Sequence, residues 1–228
     1  MQLLVSPSSI DEARRSVAAD IIDVKKPSEG SLGANFPWVI REIKSISDKP
    51  VSAAIGDFDY KPGGASLAAY GAACAGADYV KIGLAFDGKE RARDVISAVV
   101  KAVKDEFPEK NVVIAAYSDY ERMGSISPFE MAPIAADCGA DFAMVDTGIK
   151  DRKSTFAFMN EETLRSFTEE NGRLGLGTAL AGALMFEDID ALKRINPDII
   201  GVRGMVCGGD RNATVREDLI RTALAMIR

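Results

Sequence analysis

The run Asp20-Ile21-Ile22-Asp23-Val24-Lys25-Lys26-Pro27 reads as a buried strand that delivers a lysine into a polar loop ending at Gly30. An ammonium in apolar surroundings loses hydration, so its neutral form is favoured there. A neutral amine is what Schiff-base chemistry on a carbonyl requires. Lys26 points the other way along the strand and reads as a solvated loop charge. A second lysine, Lys81, ends the apolar run Asp78-Tyr79-Val80-Lys81. The chain has 0 histidines, so proton transfer must fall to Lys, Asp, Glu, Arg or Tyr, and imidazole metal ligands do not exist. Together these residues point to lysine-dependent carbonyl chemistry.

Further candidates stand at the ends of other apolar runs. Asp146 precedes Thr147-Gly148-Ile149-Lys150-Asp151, which adds Lys150 as a phosphate contact, a proton carrier or a plain surface lysine. Asp57 tips a third run, ahead of Asp59 and Lys61 in a loop that opens the next helix at Pro62. Two glycine-rich loops, one at Gly182 and one spanning Arg203, Gly204, Gly208, Gly209 and Arg211, read as an anion cradle. Glycine admits close backbone approach, and the arginines would add charge. Three cysteines, Cys74, Cys138 and Cys207, lack metal-type spacing. Cys74 and Cys138 read as packing residues, and Cys207 as exposed in its glycine loop.

The elements that must position these groups alternate from end to end. Strands are expected at 3–6, 21–25, 51–57, 79–84, 112–117, 142–147, 176–181 and 199–203. Helices are expected at 10–19, 38–46, 66–75, 92–106, 128–138, 161–170, 186–195 and 215–227. Eight strands and eight helices predict one (β/α)8 barrel over residues 1–228, a fold that takes roughly 200 to 250 residues. An open doubly wound sheet would use fewer strands at this length.

A fourfold repeat refines the barrel. Asp20, Asp78, Asp141 and Asp198 each open an even-numbered strand. Counting three and five residues onward selects one strand face. That predicts a lower interior layer holding Asp23 and Lys81, and an upper layer holding Lys25, Asp146 and Arg203. Lys81 should pair with Asp23. Charges of both signs inside a barrel are costly even when paired, and function is the usual reason to keep them.

Composition sets the exclusions. With 28 basic and 34 acidic residues the net charge is -6, so no nucleic-acid or anionic-membrane surface is expected. No apolar run reaches the roughly 20 residues that cross a bilayer, and the odd, scattered cysteines fit a reducing cytoplasm. Phe156, Phe158 and Met159 are expected to be exposed, a surface through which a homo-oligomer would assemble.

The chain resembles the (5-formylfuran-3-yl)methyl phosphate synthase family of methanofuran biosynthesis. The segments that carry the resemblance are Leu3-Leu4-Val5-Ser6-Pro7, 20–25, 27–37, Tyr60-Lys61-Pro62-Gly63, 76–84, 146–151, 195–204 and Gly209-Asp210-Arg211. The run 29–38 is the most specific of them. The resemblance implies a barrel enzyme, without metal or organic cofactor, that condenses two glyceraldehyde 3-phosphate molecules with release of phosphate and water. It assigns the Schiff base to Lys25, acid/base work to Lys81 and a supporting role to Lys150. The imine would become an enamine that attacks the second triose's aldehyde. One phosphate would sit in the glycine loops, and Lys61, Lys150 or Lys153 would help hold the other. The chain departs from the family at Lys26, where a small polar residue is expected, and in a shorter segment after Leu84. Two other readings fit the same residues: a class I aldolase-like lyase that releases no phosphate, and a non-catalytic phosphosugar-binding protein.

Overall fold

In the computed structural model, which describes residues 1–228, eight strands form a closed barrel in chain order, every neighbouring pair parallel. They are β1 (Gln2–Val5), β2 (Ile21–Val24), β3 (Val51–Phe58), β4 (Tyr79–Leu84), β5 (Asn111–Tyr117), β6 (Phe142–Asp146), β7 (Gly177–Leu180) and β8 (Ile199–Val202). The helices are α1 (Ile10–Arg15), α2 (Pro37–Ile46), α3 (Pro62–Cys74), α4 (Lys89–Lys104), α5 (Tyr120–Met123), α6 (Pro128–Asp137), α7 (Glu161–Arg173), α8 (Ile189–Ile195) and α9 (Glu217–Ile227). The barrel is the one the alternation predicts. The short α5 was not foreseen, and α1 stops at Arg15 rather than running on to Ala19.

The four repeated aspartates pin the amino-terminal end of the barrel. Each carboxylate accepts the backbone N–H that opens or nearly opens the preceding odd strand: Asp20 from Leu3 at 2.9 Å, and Asp78, Asp141 and Asp198 from Val51, Val112 and Thr178 at 2.7 Å. Each aspartate's own N–H returns to the carbonyl of that same residue. The reciprocal latch satisfies strand-end groups that otherwise lack a ladder partner. It also fixes strand register, and therefore which side chains face inward five residues later.

Apolar packing divides in two. A cluster of 56 buried residues lies between the sheet and the helices. A smaller cluster of 10 fills the barrel interior, including Leu4, Ile21, Val113, Met144 and Ile199 from the strands. One member, Leu32, comes from the loop after β2 and is fully buried. It enters above Gly83, where a Cβ would meet Leu32 Cδ1 at 3.1 Å and collide with the Tyr117 hydroxyl. Leu32, Tyr117 and Asp57 therefore stop the β3–β5 side of the barrel mouth. No helix is long and apolar enough to cross a membrane.

Two surface expectations are corrected. Met159 is buried, Phe156 is half-buried against the core and Phe158 half-buried beside Arg122 and Lys153, so the three do not form the fully exposed surface expected. Cys207 is buried and Cys74 exposed, the reverse of what was expected. Cys207 lies inside a 3₁₀ turn, Gly204–Cys207, whose apolar side packs into the core.

Candidate active site

With one side of the mouth stopped, the other opens as a cavity of about 790 Å³ at the carboxyl ends of β1, β2, β6, β7 and β8. This is the end where barrel enzymes place their sites. Its floor holds the expected pair: Lys81 Nζ donates to Asp23 Oδ1 at 2.9 Å, the two residues 2% and 0% exposed. Asp23 also accepts from the hydroxyls of Ser52 and Ser6, each at 2.8 Å, so both oxygens are occupied. Burial by itself would raise the Asp23 carboxyl, but the Lys81 and Lys25 charges outweigh it and hold it below the ordinary carboxylate value.

Lys25 follows β2 immediately and lines the cavity above that pair. Desolvation lowers its ammonium from 10.5 to about 8, against the attraction of Asp146 and Asp23 and with the added repulsion of Lys81 and Lys150. An amine at this value is neutral in about one molecule in ten at pH 7, far more often than an ordinary lysine.

On the opposite wall Asp146 closes β6. It accepts Lys150 Nζ at 2.8 Å, while Lys150 also donates to Thr147 O at 2.6 Å and Thr147 Oγ1 at 3.1 Å. Burial would raise Asp146; Lys150 and then Lys25 reverse this and bring it to about 2. The loop that carries Lys150 is held by buried Asp119, which accepts the N–H groups of Gly148 at 2.7 Å and Ile149 at 3.0 Å. Asp119 escaped the sequence reading. Its signal was the one that flagged Asp57 and Asp146, an acid just past a strand's carboxyl end.

The glycine loops form one wall, with parts placed differently from expectation. Gly182, Gly204, Gly209 and Arg211 line the cavity, and Gly208 does not. The N–H groups of Gly208 and Gly209 are both spent on the Gly204 carbonyl, whereas those of Gly182, Ala183 and Arg211 have no protein partner. At Gly182, with φ of +97°, a Cβ would run into Thr147 N at 2.8 Å and the Thr155 hydroxyl, so only glycine fits the approach.

Arg203 does not aim its guanidinium into this space as a free cation. It turns across β1 to α1, where NH1 donates to Glu12 Oε2 and to Ser6 O, both at 2.8 Å. Its Nε donates to Arg211 O at 2.7 Å, and NH2 reaches Ser8 Oγ and Ala213 O at 3.3 Å. Every nitrogen of the fork is therefore engaged. Glu12 in turn accepts the N–H and hydroxyl of Ser8 and the N–H of Val215. Desolvation opposes its charge, but Arg203 and Ser8 bring it from 4.5 to about 2. The pair fixes the shape of the glycine wall from behind.

Asp57 is likewise diverted from the cavity. It accepts Leu32 N at 3.0 Å and the hydroxyl of buried Tyr117, anchoring the loop that carries the Leu32 stopper. Ser31 of the same loop donates to Thr147 O at 2.9 Å. Lys61 is paired with Asp59 at 3.0 Å on the exposed surface, and Lys26 with Glu29 at 2.5 Å. No group of three or more His, Cys, Asp or Glu gathers as a metal-ligand cluster.

Known proteins resemble this chain along nearly its whole length. A family model described as 4-HFC-P synthase matches residues 3–224. A Methanosarcina mazei protein named (5-formylfuran-3-yl)methyl phosphate synthase is 55% identical over 230 residues, covering 99% of this chain and 98% of that one. Proteins of the same name from Archaeoglobus fulgidus and Methanocaldococcus jannaschii are 50% and 51% identical, covering 96% and 93% of each chain. Among solved structures, KGPDC from Streptococcus mutans superposes with a TM-score of 0.68 at 15% identity, covering 99% of this chain and 96% of that one. A 3-hexulose-6-phosphate synthase also gives 0.68, at 20% identity, covering 98% and 99%. These distant likenesses bear on the fold.

Proposed function

The chain belongs to the 4-HFC-P synthase family, and we propose from this that it condenses two glyceraldehyde 3-phosphate molecules into (5-formylfuran-3-yl)methyl phosphate for methanofuran biosynthesis. The observation that carries the reading is Lys25. It is an amine brought to about 8, set in a cavity between an Asp23–Lys81 pair and an Asp146–Lys150 pair.

Lys25 attacks the aldehyde of one triose and expels water, leaving an imine. Removal of the adjacent carbon-2 proton, the work of Lys81 once it has passed its own proton to Asp23, gives an enamine that is nucleophilic at carbon 2. The product's connectivity guides the next bond. Its phosphomethyl branch and its formyl group sit on ring carbons separated by one other carbon. That spacing follows when carbon 2 of the tethered triose joins carbon 3 of the second, from which phosphate departs. Attack at the second aldehyde, the sequence-based expectation, would instead consume the carbonyl that survives here as the formyl group. The second triose's carbon-2 hydroxyl then closes on the imine carbon. Loss of water, with Lys150 beside Asp146 as proton donor, and loss of the Lys25 amine aromatise the ring. The balance is two triose phosphates in, and one furan phosphate, one orthophosphate and two waters out, with Lys25 restored.

The test is incubation with D-glyceraldehyde 3-phosphate, following orthophosphate and furan absorbance together, with borohydride trapping of the imine and Lys25→Ala alongside. Both products and a trapped Lys25 adduct in the wild type, all lost in the variant, are expected. A linear aldol without phosphate release would establish a simple aldolase instead.

A further inference from the structure

The cavity wall beyond Lys150 presents two cations without an ion pair. Arg152 and Lys153 both line the cavity. The one carboxylate in their loop, Asp151, is taken by Arg122 at 2.8 Å. Lys153 Nζ rests 6.0 Å from the Phe158 ring centroid. Of the other cations that face or were expected to face substrate, Lys81 is committed to Asp23, Lys150 to Asp146, Arg203 to Glu12 and Lys61 to Asp59, while Lys25 and Arg211 line the cavity without an ion pair.

The backbone beneath the two cations is held in an unfavourable form. Arg152 has φ of 73°, in the left-handed region that a non-glycine residue enters at a cost of about 1 kcal/mol or more. The segment keeps this shape because it is pinned at both ends. Asp119 grips Gly148 and Ile149 on one side. On the other, Thr155 donates its N–H to Gly182 O at 2.9 Å and its hydroxyl to Ala181 O at 2.6 Å. The second pin reaches the glycine wall itself, so the cations stand at a fixed offset from the free N–H groups of Gly182, Ala183 and Arg211. The glycine wall and the two cations thus line one chamber.

We propose that Arg152 and Lys153 form a second anion station that receives the phosphate of the untethered triose, the one that leaves as orthophosphate; this rests on the synthase reading above. A guanidinium and an ammonium together suit a dianionic phosphate ester. They also stabilise the charge that grows on it as the carbon–oxygen bond breaks.

The experiment uses D-glyceraldehyde 3-phosphate with two read-outs on each protein: the borohydride-trapped adduct at Lys25, which needs one triose, and furan formation, which needs two. The variant is Arg152→Asn/Lys153→Gln, since both residues are exposed and asparagine tolerates the left-handed backbone. Trapping should half-saturate at the wild-type concentration, while half-saturation of furan formation rises by about tenfold or more, as loss of charge-assisted hydrogen bonds implies. Arg152→Lys/Lys153→Arg should recover most of that loss. Unchanged furan kinetics in the neutral variant would overturn the station. So would trapping lost in step with furan, which would assign these cations to the first triose. A wild type that traps nothing and makes no furan removes the synthase reading itself, and the station with it.

Discussion

Lys81 and Asp23 meet across the barrel interior from β4 and β2, 2.9 Å apart and closed to solvent, with Ser52 of the intervening β3 completing the carboxylate's shell. Both groups are desolvated, so neither tolerates loss of the other. Lys81→Met should cost about 3–5 kcal/mol in urea unfolding because it strands a buried carboxylate. Lys81→Met with Asp23→Asn should cost less than that single change. A double variant as unstable as the sum of the two singles would remove the pair from the account.

The reactivity of Lys25 should follow its ionisation. With the ammonium at about 8, kcat/KM should fall about tenfold per pH unit below that value and level off above it. Asp146→Asn removes an attraction on the ammonium and should move the inflection down; Lys150→Met removes a repulsion and should move it up. An inflection that stays in place in both variants would assign it to another group.

Acid should unfold the protein through three carboxylates. Glu12 and Asp146 are held at about 2 and Asp23 below its ordinary value, so the folded state binds fewer protons than the unfolded one. Their stabilisation is full above the ordinary range of 3.8 to 4.5 and is lost as pH falls toward about 2. By linkage Glu12 contributes on the order of 3 kcal/mol and Asp146 on the order of 2 kcal/mol. The melting temperature should drop across that window, and by less in Glu12→Gln relative to that variant's own neutral value. Equal slopes in both proteins would exclude Glu12 from the effect.

The Arg203–Glu12 pair should act on substrate binding from a distance. Arg203→Lys keeps a charge but cannot engage Glu12, Ser6 and the Arg211 carbonyl together. Its KM for triose phosphate should rise about tenfold, the scale of about 1.4 kcal/mol, with kcat and the pH inflection of Lys25 nearly unchanged. A shift in the inflection would show that the change reaches the amine, contrary to a positioning role.

The strand ends, the helix order and the Asp23–Lys81 contact were legible because strand alternation and the fourfold aspartate repeat are local signals with a fixed period. Arg203 was misjudged for a physical reason. Its face was read from β8 alone, while its partner Glu12 lies 191 residues away on a helix whose register against β8 no local pattern encodes. Asp57 was drawn to the site by its strand-end position, yet the acceptor that mattered there served Leu32 N and Tyr117. Leu32 itself looked like any apolar loop residue, because only closure of the barrel creates the gap over Gly83 that it fills.

That stopper has a consequence for how the enzyme's scope changes. Of the three side chains that stop the β3–β5 side of the mouth, Leu32 is the one carried by a connecting loop, whereas Asp57 and Tyr117 stand on strands. Space at the mouth can therefore drift, or be engineered, by trimming residue 32 without shifting the strand register that sets Lys81 and Asp146.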